Sequence, residues 1–368
     1  MTSRGTRLRQ RRSGWPALAS FALAALLAGC AAAPEAPAGA HQARDFAALD
    51  RFVRREMEAA GVPGLAIAVL RDGRIVHQGA YGVKHAANRE PVTPDTLFEA
   101  ASLSKPVFAA FVVLQAEQGL LDLDRPLYRY LPHPDLAGDP RHRRLTARMV
   151  LAHASGLPNW RQDTGGELKF LFEPGTRFGY SGEAYEYLKD VLKHLLGVDD
   201  AGLQARLEAD VFGPIGAPSM RYTWDASIPA RKAYGHRGGT PTDNHRHDDG
   251  FGASYTLHAT ASDYARFLAM LARPGRDRAP AVARLLAIQR DLPHEEGELH
   301  RSLGFPVKAT ARGLRYYHAG NNGDFRAYCH LYPGRGDGVV LFGNADNLFS
   351  SGLAQRILER LEEPWFYM

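Results

Sequence analysis

The chain has 368 residues, enough for one large domain or two intertwined ones, and its 45% hydrophobic and 23% charged residues are ordinary globular values. Its formal net charge of +5 traces to five arginines in the first twelve residues (Arg4, Arg7, Arg9, Arg11 and Arg12), with no acid before Glu35; removing them leaves 40 basic against 40 acidic side chains. No basic run remains in the body to grip a nucleic acid, and two cysteines cannot make a disulfide-stapled scaffold.

Behind the arginines, Pro16 to Leu27 is apolar but too short to span a bilayer comfortably, and it reads as the hydrophobic core of a signal peptide. It ends in Leu27-Ala28-Gly29-Cys30, which resembles the lipobox of bacterial lipoproteins, where the cysteine becomes the lipidated first residue after cleavage. The expectation is a lipoprotein-type signal peptide over residues 1–29, lipidation at Cys30, and an exported protein anchored to a membrane of the bacterial cell envelope, on the periplasmic face or outer surface. A plain signal peptide, an uncleaved anchor, and twin-arginine export through Arg11-Arg12 are the alternatives. Residues 30–43, rich in Ala and Pro, read as a flexible tether, and 44–368 as the folded body. Cys329, in an apolar strand-like run, reads as a packing residue.

Phe46, Leu49, Phe52, Val53, Met57 and Ala60 fall on one helical stripe that Gly61-Val-Pro-Gly64 stops. Leu65 to Leu70 and Arg74 to Tyr81 are β-rich runs joined by Arg71-Asp72-Gly73, the composition of a tight hairpin turn. Next comes Phe98-Glu-Ala-Ala-Ser-Leu-Ser-Lys-Pro106, where Ser102 and Lys105 stand three residues apart at the start of a helix and so share a face. Residues 106–114 are apolar around the whole circumference, the mark of a fully buried helix. Burial disfavours an ammonium, so a lysine rooted there is suited to accept a serine proton. Free backbone N–H groups at the helix start near Ser102 are suited to a developing oxyanion.

Residues 125 to about 260 carry helical patterns, loops and prolines, and predict a mostly helical insertion. Within it, Tyr180 precedes a helix striped by Tyr185, Leu188, Val191, Leu192 and Leu195, with Ser181 as its N-cap. A phenol fixed there can relay a proton between Ser102 and a leaving group; the alternative is a tyrosine packed at a loop and helix junction. Strands return at Gly313 to His318, Arg326 to Tyr332 and Gly338 to Gly343. In His318-Ala-Gly320-Asn-Asn, Gly320 would let substrate approach the backbone, and the N–H of Asn321 is a candidate second oxyanion donor. His318 read alone is a polar strand-end residue. A last helix carries Leu353, Ile357, Leu358 and Leu361 on one side. The order predicts an antiparallel β-sheet completed by both chain ends and flanked by helices.

Together these stretches resemble the serine β-lactamase and penicillin-binding-protein superfamily, most closely its class C β-lactamase, esterase and D-aminopeptidase branch. The motifs stand in family order: Ser102-Leu-Ser-Lys105, Tyr180-Ser-Gly182 in the Tyr-x-Asn place, and His318-Ala-Gly320 in the Lys/His-x-Gly place. Pro91 to Phe98 and Leu120 to Pro132 also match. Leu151-Ala-His-Ala-Ser-Gly-Leu157 resembles the family's Leu-Thr-His-Thr-Ser-Gly-Leu loop, which makes His153 structural, and Gly252 to Leu268 resembles a further recurring segment. The resemblance implies an α/β (α+β) fold, with the sheet part at about 44–105 and 265–368, a helical part at about 106–264, and the active site between them. It implies Ser102 as acylated nucleophile, Lys105 and Tyr180 sharing proton transfer with the choice of base open, and the backbone amides of Ser102 and Asn321 as oxyanion hole. His318, Gly320 and Gly182 would line the substrate site, with no cofactor and no metal.

Gly182 replaces an asparagine that would bind a substrate amide, and His318 a lysine that would hold a carboxylate, which weakens an antibiotic-hydrolysing reading. The expected reaction remains hydrolysis of an ester or amide in a small-molecule or peptide substrate, by an esterase, D-amino-acid peptidase or β-lactamase-like activity. The competing expectation is a non-catalytic envelope protein of the same fold that binds peptidoglycan fragments or a partner, which Gly182 favours and the complete Ser102, Lys105 and Tyr180 set disfavours. Asp243, His245, His247, Asp248 and Asp249 read as a polar loop rather than a metal site, and His294-Glu295-Glu296 lacks the spacing of a zinc helix.

Overall fold

The Asp72-Gly73 turn, both residues in left-handed backbone with φ of 51° and 70°, closes a hairpin in the way its composition predicts. The computed structural model describes residues 46–242, 250–289 and 299–363; Cys30, the expected signal peptide and tether, and the candidate residues at 243–249 and 294–296 lie outside the described residues. In chain order the elements begin with helix α1 (Phe46–Ala60), strands β1 (Gly64–Arg71), β2 (Arg74–His85), β3 (Glu90–Pro91) and β4 (Phe98–Glu99), and helix α2 (Ser104–Glu117). They continue through α3 (Ala147–Leu151), α4 (Gly182–Leu196), α5 (Asp200–Leu207), α6 (Ile228–Arg231), β5 (His236–Arg237), β6 (Thr240–Pro241), β7 (His258–Ala259), α7 (Ala261–Ala272) and α8 (Ala279–Leu286). The chain then runs through β8 (Leu299–Arg301), β9 (Pro306–Thr310), β10 (Gly313–Asn321), β11 (Arg326–Tyr332), β12 (Asp337–Gly343) and α9 (Leu353–Arg360).

An eight-stranded sheet runs β3-β2-β1-β12-β11-β10-β9-β8, antiparallel at every pairing. The two chain ends meet in its centre, where Leu65 pairs with Gly343 and Val69 with Val339. Every residue of β1 is buried, so alternate side chains feed two cores. Leu65, Ile67 and Val69 face α1 and α9 through Val53, Met57, Leu353 and Ile357. Ala66, Ala68 and Leu70 join the larger core that holds α2 and α7. The apolar circumference of α2 is explained by its depth: Lys105 and residues 106–113 are all buried.

The antiparallel sheet flanked by helices is the architecture the sequence implies, with two differences in detail. The sheet gains β8, β9 and the two-residue β3, short strands at or next to its edges whose mixed residues carry no clean alternation and which are defined by their pairing with neighbours. Among the described residues between 125 and 260, α4 is the one helix longer than eight residues; the rest is short helices, 3₁₀ turns and brief strand pairs, a less helical insertion than predicted.

The C-terminal helix is locked by charge as well as by packing. Buried Glu363, just past α9, pairs with Arg312 at 2.6 Å and with Arg71 and His330 at 3.4 Å each. Burial works against its charge, but His330, Arg312 and Arg71 outweigh it and hold the carboxyl at about 2 against an ordinary 4.5. A depressed carboxyl contributes stability that is complete above its ordinary value and is lost as pH falls toward the folded one. The unfolding midpoint of wild type should therefore exceed that of Glu363→Gln at pH 7, and the gap should shrink as pH drops from 4.5 toward 2. Thermal unfolding of both proteins across that range checks this; a gap independent of pH would contradict it.

Candidate active site

Ser102 is presented by a short, heavily pinned turn. β4 pairs with β7 through Phe98 with Ala259 and Glu99 with His258. The chain then enters a 3₁₀ turn over Ala101–Leu103 that runs straight into α2. Ala101 is held at φ 51°, a left-handed conformation that costs a residue with a Cβ about 1–3 kcal/mol. The surroundings hold it there: Tyr264 Oη donates to Leu103 O at 3.0 Å, and Tyr222 Oη to Ser104 O at 2.6 Å. Ser104 is fully buried, donating to Ala101 O at 2.6 Å and accepting from Leu257 N at 3.0 Å. Ser102 is the half-exposed serine of the pair, open to a substrate.

Lys105 is 1% exposed, and its Nζ stands 3.4 Å from Ser102 Oγ. Its other hydrogen bond, at 3.0 Å, goes to the carbonyl of Ser254. That carbonyl is fixed in turn by Glu186, whose Oε1 accepts from Ser254 N at 3.0 Å and from Ser254 Oγ at 2.6 Å. The faces of Tyr180 and Tyr185 complete the lysine's surroundings, with ring centroids 4.7 and 5.7 Å from Nζ. Among the described residues no carboxylate pairs with Lys105.

Tyr180 stands just before α4. Ser181 caps that helix as its position predicts, accepting from Ala184 N at 3.0 Å and donating to Pro158 O at 2.7 Å. The Tyr180 ring stacks on His153, centroids 4.3 Å apart and planes 25° from parallel. His153 has φ 57°, and its Nδ1 accepts from Ser181 N at 3.2 Å, so its proton sits on Nε2. Burial, then the nearby Arg301 and Lys105 cations, push its ring well below the usual histidine value, which leaves a neutral slab bracing the phenol.

The far wall is the end of β10. His318 is buried and bonds through Nδ1 to Ala319 O at 2.8 Å; burial first, and Lys105 second, push it down to about 3. It is neutral near pH 7 and carries no charge for a substrate carboxylate. At Gly320 a Cβ would lie 2.7 Å from Ala100 O and 3.0 Å from Ala101 Cβ, so the missing side chain lets the serine turn approach β10 closely. Asn321, last residue of β10, pairs with Arg326 and accepts through Oδ1 from Gly323 N at 2.8 Å. Gly182 opens α4 with its missing side chain facing Trp160, and its N–H donates to Asn159 Oδ1 at 3.0 Å.

Beneath the serine turn lies a buried network absent from the motif reading. Glu99 and Lys232 pair at 2.8 Å, each with 1% side-chain exposure, and Asn322 Nδ2 donates to Glu99 Oε2 at 2.7 Å. Burial opposes the charge on Glu99, but Lys232 and His258 keep its carboxyl below the usual value. Three segments thus meet on one carboxylate: the strand entering Ser102, the residue after Asn321, and the loop at Lys232. The signal in the chain is a lone charge inside Leu97-Phe-Glu-Ala-Ala101, an apolar run where an acid needs a partner. Cys329 is buried in β11, with burial pushing its thiol up to about 12, an inert packing residue. Among the described residues no helix is long and apolar enough to cross a membrane, and no group of three or more His, Cys, Asp or Glu could hold a metal ion.

A family model described as Beta-lactamase matches residues 49–362. The chain is similar to the mouse (Mus musculus) serine beta-lactamase-like protein LACTB, mitochondrial, at 29% identity over 140 residues, 38% of this chain and 25% of that protein. It is also similar to protein flp of Staphylococcus aureus (strain N315), at 22% identity over 165 residues, 40% of this chain and 33% of that protein. The match thus spans a quarter to a third of these curated relatives' length. Among solved structures, a D-alanine carboxypeptidase AmpC from Burkholderia cenocepacia superposes with a TM-score of 0.71 at 22% identity, over 86% of this chain and 99% of that one. A class C beta-lactamase superposes with a TM-score of 0.73 at 20% identity, over 89% and 99%. At these identities the likeness is one of fold.

The buried pair generates a stability prediction. Glu99→Ala leaves the Lys232 cation buried without its carboxylate, and unfolding in denaturant should show a loss of about 3–5 kcal/mol. Glu99→Leu combined with Lys232→Met should recover most of it, because no charge is then stranded. A double variant as unstable as the single one would show that the pair is not the cause.

Proposed function

The chain belongs to the beta-lactamase family, and from that membership we propose that it is a serine hydrolase that forms an acyl-enzyme on Ser102 and hydrolyses an ester or amide bond. The observation that carries the proposal is Lys105 Nζ at 3.4 Å from Ser102 Oγ, buried and turned toward the hydroxyl by the Ser254 carbonyl. In the reaction, the Ser102 proton passes to Lys105 or to the Tyr180 oxygen as Oγ attacks the substrate carbonyl. The oxyanion is received by the N–H groups of Ser102 and Asn321. Collapse expels the leaving group, which takes up a proton. Water then attacks the acyl carbon, and the proton it loses returns to Ser102 Oγ as the acid departs.

Tyr180 is suited to the relay by position: its ring rests on His153 and lies 4.7 Å from Lys105 Nζ. For the same reason Tyr180→Phe keeps the packing and removes only the hydroxyl. Wild type is expected to turn over p-nitrophenyl acetate and to be labelled by a fluorophosphonate; Ser102→Ala should lose both, and Tyr180→Phe should lower kcat by about 10²–10⁴-fold. Labelling that survives Ser102→Ala would mean the wrong serine, and folded wild type inert to both reagents would favour a non-catalytic binder.

The proposal extends to place. Leu27-Ala28-Gly29-Cys30 supports export and a lipid anchor on Cys30, which puts hydrolysis at the bacterial cell envelope. Metabolic labelling with a fatty acid in a bacterial host should mark the full chain and not Cys30→Ala, and the variant should leave the membrane fraction. Equal labelling of both would remove the anchor from the account.

A further inference from the structure

Two glycines flank Tyr180 and Ser181, and the space of each missing side chain is taken by an aromatic ring from elsewhere in the chain. A Cβ on Gly179 would lie 2.6 Å from the Phe172 ring, and one on Gly182 would lie 2.8 Å from the Trp160 ring. The Trp160 loop is fastened to the first turn of α4. Asn159 O accepts from Gly182 N at 3.1 Å and Glu183 N at 3.0 Å, while Arg161 reaches Glu183 at 3.0 Å. Trp160 N donates to Asp163 at 3.2 Å.

The indole so held meets Tyr255 edge to face, centroids 5.6 Å apart and planes at 88°. Tyr255 follows Ser254, the residue whose carbonyl holds Lys105. The two rings therefore span from the start of α4, two residues after Tyr180, to the loop that anchors the lysine. Both are half-exposed, so each keeps an apolar face in water that a substrate can cover. His318, at the end of β10, is neutral near pH 7 and adds no positive charge of its own to the site.

We propose that Trp160 and Tyr255 are specificity-determining residues that bind the apolar moiety of the substrate, which makes the substrate class a neutral ester with an aryl or medium-chain alkyl group rather than a carboxylate-bearing peptide. The proposal rests on the hydrolase reading above. Gly182 then has a positive role: it is the gap that seats the indole.

The test compares kcat/KM along two arms: p-nitrophenyl acetate, butyrate and octanoate for the acyl side, and ethyl against benzyl acetate for the alcohol side. Wild type should favour the larger group by about tenfold or more in at least one arm, since covering added methylenes with apolar surface strengthens binding. Trp160→Ala should erase about tenfold of that preference, and Tyr255→Ala, on a separate loop, serves as the second variant; thermal unfolding checks that each is folded. The p-nitrophenyl hemisuccinate, which adds a carboxylate, should react about tenfold more slowly than the butyrate. Size preferences in both arms that equal wild type in folded variants, or a hemisuccinate faster than the butyrate, would overturn the proposal while leaving the hydrolase reading intact. Wild type that neither turns over esters nor takes a fluorophosphonate would remove both.

Discussion

Lys105 is a lysine with almost nowhere to put its amine. Rooted in a helix apolar on every side and 1% exposed, it has the Ser102 hydroxyl, one backbone carbonyl and two aromatic faces for company. Leaving a polar group that deep without hydrogen bonds costs several kcal/mol, so the neighbours that satisfy it must be held in place. Much of the surrounding architecture supplies those neighbours. Glu186 on α4 pins Ser254, His153 backs Tyr180, and β4 with β7 delivers the serine turn.

Strain collects at the same place. Among the described residues five non-glycines have positive φ, and two of them, Ala101 and His153, adjoin Ser102 and Tyr180. Such conformations persist only where packing over-determines them. At Ala101 the clamp is visible on both sides: Gly320 of β10 comes within a methyl's width of Ala100 and Ala101, and the hydroxyls of Tyr222 and Tyr264 hold the carbonyls that follow. The Glu99, Lys232 and Asn322 network ties the end of β10 to the same turn from below.

The parts of this arrangement that were legible in the sequence are those where local chemistry decides the outcome. Asp72-Gly73 needs no distant partner to turn, Ser181 caps α4 through its own neighbours, and the unbroken apolar run after Lys105 can only be a buried helix. Strands β8 and β9 were not legible, because their residues become strands only by pairing, β9 with β10 and β8 with β9. Lys232 lies 133 residues from Glu99, and nothing near either one announces the other. The purpose of Gly320 and Gly182 was equally hidden, since a glycine records that space is needed without saying what fills it; here it is the chain's own backbone in one case and an indole in the other.

The central claim is that Ser102 carries the substrate's acyl group during turnover. Acid quench of the protein in steady state with p-nitrophenyl butyrate, followed by intact-mass measurement and peptide mapping, tests it directly. The account predicts one butyryl group on the peptide that contains Ser102, formed during turnover and released as the substrate is exhausted. Turnover with no adduct, or an adduct on a different residue, would contradict it.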